Sequence, residues 1–507
     1  MTTADSHQRS TSPSRAGTAP DLHAVALEAL HAAGLSPDET AAMRAELSAM
    51  PPAATAGPDV RDLRALLWSS IDNTSSRDLD QVEYAESVAG GAIRLRVGIA
   101  DVDALVPKGS AIDAHAMANA TSVYTGMDVF PMLPEGLSTD RTSLNEGAER
   151  VMLVIELTIA ADGTVSSHDV YRATAVNRAK LAYETVGPWL EGSAGAPEVV
   201  RATPGLEDQL WLQDRTASLL KQVRERAGAL EFDTVEATAV GKNGKVESIA
   251  VTRKNRARDL IEDFMVAANV AIAQYLAEQG RSAIRRVVRV PKRWPRIVEI
   301  AATFGAALPA EPDARALSAF LGARRAADPL RFPDLSLSIV KLLGPGEYSL
   351  DLPGPADDEG HFGLAAQSYS HATAPNRRYA DLVTQRLVKA AIAKVDAPYT
   401  NDELATIAKQ CTERENAANR VERITRKAAA ALLLAGRVGD TFDAIVTGVN
   451  KDGTYVRLLS PPAEGRVMRG EAGMDVGERV RVKLLSTDAA RGFIDFAGVD
   501  SSARQAS

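Results

Sequence analysis

Between residues 60 and 436 the hydrophobic pattern changes period with no linker in between, and this limits the fold more than any other feature. Residues 93–100 (IRLRVGIA) alternate and then run apolar, and residues 151–160 (VMLVIELTIA) do the same before the turn Ala161-Asp162-Gly163. A period of two marks a strand with one buried face. Further along, Ile261, Met265, Ala268, Ile272 and Tyr275 recur at four-three-four-three spacing, the apolar stripe of an amphipathic helix. The spacing predicts one large α/β unit over residues 60–435, with a largely antiparallel sheet surrounded by helices. Residues 192–204 and 344–360, both rich in Gly and Pro, read as loops.

The flanks differ in character. Residues 1–20 form a Ser/Thr/Pro-rich tail, and residues 21–33 carry Leu22, Val25, Leu27 and Leu30 at helical spacing. After Gly34, residues 36–39 (SPDE) open a second helix running to about Met50. The pair reads as a helix-turn-helix or as a helical cap on the main body. Residues 51–59 complete this module as a linker. Past Gly436, residues 441–446, 453–459, 479–485 and 492–496 read as short strands between turns. They predict an all-β, OB-like barrel over residues 436–498, with a tail at 499–507. Such barrels bind single strands on aromatic and basic faces, and Phe442, Tyr455, Phe493 and Phe496 fit either that face or the core.

Composition removes several classes. The single cysteine, Cys411, excludes an intrachain disulfide framework. No uninterrupted apolar run reaches the ~18 residues of a membrane span, and the tail lacks the apolar core of a signal peptide. A soluble cytoplasmic protein is expected. Lys and Arg number 58 against 66 Asp and Glu, a net charge of -8. That argues against binding bulk nucleic acid but does not exclude a local groove.

Two segments carry chemistry. Residues 70–80 (SIDNTSSRDLD) place Asp72, Asp78 and Asp80 in a polar, turn-prone stretch. Asp78 and Asp80 point the same way if the backbone is extended. Clustered carboxylates stay ionised together mainly around a hard cation such as magnesium; a solvated Asx loop is the alternative. In residues 371–381 (HATAPNRRYAD), Pro375 predicts a helix start. Arg377 and Arg378 in its first turn would oppose the helix dipole unless an anion sits there, or unless they pair with Asp381.

These segments, with others in order, resemble the ribonuclease II (RNB) family of 3′-to-5′ exoribonucleases. The matching stretches are residues 71–80, 97–102 (VGIADV), 109–113 (GSAID), Tyr124, 131–134 (PMLP), Ser143-Leu144, 179–183 (AKLAY), 260–265 (LIEDFM) with Ala268-Asn269, 361–364 (HFGL) and 374–381 (APNRRYAD). The resemblance spans roughly residues 65–430. It implies that Asp72, Asp78 and Asp80 bind magnesium and take part in catalysis, with Gln81 next to them, and that Arg377 grips the scissile phosphate. Tyr124 and Phe232 would sandwich the terminal bases, while Tyr183 and Glu262 would read ribose hydroxyls. Arg378, Tyr379 and Glu422 would complete the RNA contacts. Residues 281–296 and 414–427 would supply basic surface to the channel. The implied activity is processive hydrolysis of single-stranded RNA, and of structured RNA with a 3′ overhang, to nucleoside 5′-monophosphates by a monomer.

Two departures stand out. Gln81 occupies the position where the family usually has a further Asp. Either the site tolerates the lost charge with help from Glu83, or one cation is weakly held. A catalytically weakened RNA-binding protein is therefore the alternative function. In addition, residues 1–64 lack Phe and Tyr and look helical, whereas bacterial members commonly carry two cold-shock barrels there. A more open channel entrance is expected.

Overall fold

The alternating segments are strands of one sheet in the computed structural model, which describes residues 21–233, 236–242, 244–329, 331–354, 360–450 and 453–499. The chain begins with α1 (Leu22–Ala32), whose N-cap Asp21 accepts the His23 N–H, and α2 (Ala41–Ala49), capped by Thr40. The second helix starts later than residues 36–39 suggest. Ser36 is held outside the helix because its N–H and carbonyl both bond the Asn119 side-chain amide, at 3.0 and 2.8 Å.

The sheet comprises β1 (Arg61–Asp62), β2 (Trp68–Asp72), β3 (Gln81–Ser87) and β4 (Ile93–Ala100). Helix α3 (Ala111–Asn119) and a small hairpin, β5 (Val123–Tyr124) and β6 (Val129–Phe130), separate these from β7 (Glu149–Ile159) and β8 (Val165–Ala182). Strand order is β1-β8-β2-β3-β4-β7, and β7 also pairs with β8. The 18-residue β8 serves both ends of the sheet. Its first part runs antiparallel to β7 and its last part parallel to β2, from Trp68↔Asn177 to Asp72↔Ala182. The strands thereby close on themselves around Ile71, Val82, Leu95, Val97, Ile99 and Ile155, all buried. The sheet is mixed where β8 runs parallel to β1 and β2, and antiparallel elsewhere.

Helices follow: α4 (Tyr183–Leu190), α5 (Glu198–Ala202) and α6 (Leu206–Ala227). The expected loop at 192–204 thus contains a helix, whose N-cap is Pro197. Hairpin β9 (Glu236–Lys242) and β10 (Lys245–Thr252) leads to α7 (Arg256–Glu278). Among the described residues, α7 is the one helix long and apolar enough by length and composition to cross a bilayer, although polar residues interrupt it and most of its apolar stretch is buried inside the protein. Its Leu260, Phe264, Ala268, Ile272 and Leu276 are buried, and it packs on β4, β7 and β8. Next come β11 (Ala283–Val287), α8 (Trp294–Thr303), α9 (Ala314–Ala327), α10 (Phe332–Leu343) and β12 (Glu347–Asp351). Strand β12 pairs with β11, so the start of the expected 344–360 loop is a strand. Residues 355–359 of that loop lie outside the described residues.

Helices α11 (Tyr379–Ala393) and α12 (Asn401–Leu434) lead to the barrel of β13 (Thr441–Asn450), β14 (Gly453–Leu458), β15 (Glu464–Arg469), β16 (Arg479–Asp488) and β17 (Phe493–Gly498), closed in the order β13-β14-β15-β17-β16. Strand β15 is an addition to the expected set. Its inward positions include Gly465, where a Cβ would lie 2.4 Å from the Ile494 carbonyl, so the alternation is hidden in the sequence. Phe442 and Phe496 are core, Tyr455 is half-buried, and Phe493 is 57% exposed.

With 34 residues, α12 extends about 51 Å at 1.5 Å per residue. Its Ala430, Ala431 and Leu434 enter the barrel core, while Ala418 and Val421 pack with Leu30 and Leu35 and with Val123 of the β5–β6 hairpin. α1 therefore lies on α12, whereas α2 lies on α3, the packing of a cap on the main body. Leu30→Ala should destabilise the protein by about 2–5 kcal/mol in denaturant unfolding. A loss below about 1 kcal/mol, the range of ordinary surface changes, would contradict this packing.

Candidate active site

Acidic and basic segments meet where β2 ends and β3 begins. Strand β2 ends in Asp72, whose Oδ1 accepts the Asn73 N–H at 2.7 Å and the Ser76 hydroxyl at 2.8 Å. The chain then returns through residues 77–80, where the Ser143 hydroxyl donates to the Arg77 carbonyl at 2.8 Å. Leu79 N–H donates to Ser143 Oγ at 3.0 Å, Leu144 N–H to the Leu79 carbonyl at 2.9 Å, and Ala100 N–H to the Asp80 carbonyl at 3.0 Å. With Leu79 buried between them, Asp78 and Asp80 are fixed in place.

The arginine segment corrects the sequence reading. Helix α11 starts at Tyr379, four residues after Pro375, so neither arginine lies in a helical turn opposing the dipole. The reason is Asp381, whose Oδ1 accepts the Ala374 N–H at 2.8 Å and holds residues 374–378 in a turn. Asp381 also takes Arg378 Nε at 2.8 Å and Nη2 at 2.7 Å. Ion pairing with Asp381 thus describes Arg378, which leaves its guanidinium committed within the fold. Arg377 differs: its side chain is 44% exposed and its Nε lies 3.5 Å from Asp80 Oδ2.

Asp80 is the centre of the arrangement. It is 2% exposed, and its Oδ1 accepts the Asn376 N–H at 2.9 Å from 296 positions away. Its Oδ2 accepts no hydrogen bond. Burial pushes the carboxyl up to about 7, against the pull of Arg377 and the Asn376 N–H, and the charges of Asp78 and Asp381 add to the rise. Burial also raises Asp72, which feels both Arg377 and Asp78. The three carboxylates and Arg377 therefore share one electrostatic field.

Tyr124 stands over this group on the β5–β6 hairpin. Its hydroxyl donates to Asp78 Oδ2 at 3.2 Å and its N–H to Glu422 Oε1 of α12 at 3.0 Å. The ring is 39% exposed. Ser122 N–H bonds the Arg377 carbonyl at 3.0 Å, tying the hairpin to the arginine turn.

The remaining expected residues are dispersed. Phe232 and Glu262 line a cavity of about 350 Å³ with Lys221, Arg224, Lys254 and Asp263. Phe232 also packs beside Trp294 and Leu230. Tyr183 and Glu262 line a second cavity of about 300 Å³, where the Arg258 guanidinium lies 4.4 Å from the Tyr183 ring centre. Glu262 pairs with Lys254 at 2.8 Å. Tyr379 is 1% exposed, and Asp113, Arg386 and Tyr399 surround its hydroxyl, so it offers RNA no surface. Gln81 begins β3 opposite Ile99 and is almost buried. Four of the basic residues in 281–296 form ion pairs: Arg285 with Asp351, Arg286 with Glu415 at 2.6 Å, Arg289 with Glu347 and Arg296 with Glu299. Arg285 and Arg286 are thereby tied to β12 and α12, while Arg289, Lys292, Arg293 and Arg296 remain exposed.

Two contributors lie within the stretches that carry the resemblance, yet nothing in the sequence gives their roles. Asn376 acts through its backbone N–H, which any residue but proline has, and Ser143 pins the acidic loop from a distant turn. A stability test follows from the raised Asp80 carboxyl. An unfolded Asp titrates near about 3.9, so the metal-free native state holds an extra proton between that value and about 7. Its stability falls as pH rises through this window and stays low above it. In chelator, Asp80→Asn should melt above the parent at pH 8, with the gap closing towards pH 4. A lower melting temperature for the variant at pH 8 would contradict the geometry.

Comparison with known proteins places this geometry in a family. Residues 60–394 match the RNB domain, and residues 440–499 match the RNase II-type exonuclease C-terminal S1 domain. Ribonuclease R of Vibrio cholerae is 31% identical over 483 residues, which cover 87% of this chain and 57% of that protein. Ribonuclease R of Escherichia coli is 28% identical, with the same coverage of 87% and 57%. The chain thus spans little more than half the length of these relatives. The solved structure of Mycoplasma genitalium RNase R with ribose-methylated single-stranded RNA superposes with a TM-score of 0.84 at 21% identity, covering 94% of this chain and 78% of that one. The paired acidic loop and arginine turn both fall inside the matched RNB region, and the chain belongs to the RNB family.

Proposed function

We propose that this chain is a processive, metal-dependent 3′-to-5′ exoribonuclease that hydrolyses single-stranded RNA to nucleoside 5′-monophosphates, with magnesium as its cation. The observation that carries the reading is the pairing of a buried, incompletely bonded carboxylate, Asp80, with the half-exposed Arg377. A buried carboxylate oxygen without a donor is costly, and a divalent cation would satisfy it. Among the described residues no three acidic, imidazole or thiol groups form a ready-made cage. Magnesium commonly takes one or two carboxylates and completes its shell with water and substrate phosphate oxygens. Asp80 and Asp78, with Asp72 behind them, are the groups that would hold it.

When bound, the cation supplies a Lewis acid that polarises the phosphate and promotes attack by water. The side chains do the rest. Arg377 is placed to donate to the scissile phosphate and offset the charge that grows on its oxygens. The exposed Tyr124 ring offers the 3′-terminal base a stacking face, a contact worth ~1–3 kcal/mol that does not depend on sequence. Its hydroxyl holds Asp78 in register while Glu422 fixes its backbone. Phe232, Glu262 and Tyr183 lie along the two cavities, where bases and ribose hydroxyls would pass. The barrel presents Phe493 as a further stacking surface.

Incubating the protein with magnesium chloride and a 5′-labelled single-stranded RNA tests the reading. A ladder that collapses to a very short end product is expected; intact RNA held in a tight complex would instead support a non-catalytic RNA binder. Asp80→Asn should retain RNA binding and lose cleavage. Arg377→Lys should lower kcat by about 10²–10³-fold, because a point charge cannot reproduce the planar fork on phosphate. Near-normal turnover in either variant would contradict the assigned role.

A further inference from the structure

Strand β3 carries an acid that the mechanism above leaves unused. Glu83 lies two residues after Gln81, so both side chains leave the same face of the strand. It pairs with Ser69 of β2 and Val97 of β4 in the middle of the sheet and is 0% exposed. Neither carboxylate oxygen accepts a hydrogen bond. The charged neighbour acting on it is another acid, Asp72, and both acids act on the Tyr183 hydroxyl. Glu83, Asp72 and Tyr183 therefore share one interior corner behind the acidic loop.

An apolar side chain would occupy this core position at far lower cost than an unbonded carboxylate. Asp72 shares Arg377 with Asp78 and Asp80, while the charge acting on Glu83 is that of Asp72, so an external cation would offset negative charge that the side chains leave over. Gln81, almost buried at the start of the same strand, offers an oxygen but no charge. Building on the reading of the acidic loop as a cation site, we propose that Glu83 supplies the negative charge Gln81 withholds. It acts with Asp72 as a positioning acid that strengthens divalent-cation binding from the inner side of the loop.

The experiment is a calorimetric titration of metal-free protein with manganese(II) chloride, with no RNA and no turnover. Glu83→Gln should weaken binding about 10–100-fold, the usual effect of removing a supporting group around a metal. Gln81→Asp in the Glu83→Gln background should recover most of the loss. Glu83→Asp, which keeps the charge, should stay within about fivefold of the parent on the same scale. If Glu83→Gln does not fold, Glu83→Leu provides the same reading in an apolar setting. An affinity within twofold of the parent for the neutral variant would overturn the inference while leaving the cation site intact. So would equal losses for Glu83→Asp and Glu83→Gln, which would assign the effect to packing. If the parent itself binds no manganese, the cation site and this inference fail together.

Discussion

The contact between Asp80 and the arginine turn is the constraint on which the rest of the structure depends. One carboxylate takes the Asn376 N–H on one oxygen and faces the Arg377 guanidinium with the other. This joins segments nearly 300 positions apart in a single buried point. A carboxylate so enclosed persists only if the surrounding structure holds it there. The closed sheet, the Ser143 pin and the Asp381-capped turn all serve that end.

Support extends outward from the same point. The β5–β6 hairpin is bonded to the arginine turn through Ser122 and to α12 through Glu422. Helix α12 also receives α1 along its side and passes its last turn into the barrel core. Tyr124 is thus positioned by a frame that includes the N-terminal helix and the barrel strut. A change in how α1 seats would reach the carboxylates through Val123 and Tyr124 without altering any charged residue.

Much of the fold is legible because burial on one face writes a period into the sequence. Strand β4 coincides with the alternating IRLRVGIA, and α7 contains the stripe from Ile261 to Tyr275. Strand β15 escaped because close packing against Ile494 requires glycine where an apolar residue would have revealed the alternation. The site divides in the same way. Three acids in nine positions announce a charge problem, but without the family resemblance the charge pattern alone does not distinguish Arg377 from Arg378. Their roles diverge only because Asp381 captures one guanidinium and leaves the other facing Asp80. Nor can a sequence display a backbone donor such as that of Asn376.

The central claim is that Asp80, rather than the loop's acids in general, anchors a divalent cation opposite Arg377. Anomalous diffraction from crystals of the chain grown with manganese(II) and an uncleavable single-stranded RNA measures this directly. The account predicts an anomalous peak bonded to Asp80 Oδ2, with Arg377 turned from Asp80 onto the 3′-terminal phosphate. Manganese bound elsewhere, with Arg377 still paired to Asp80, would contradict it.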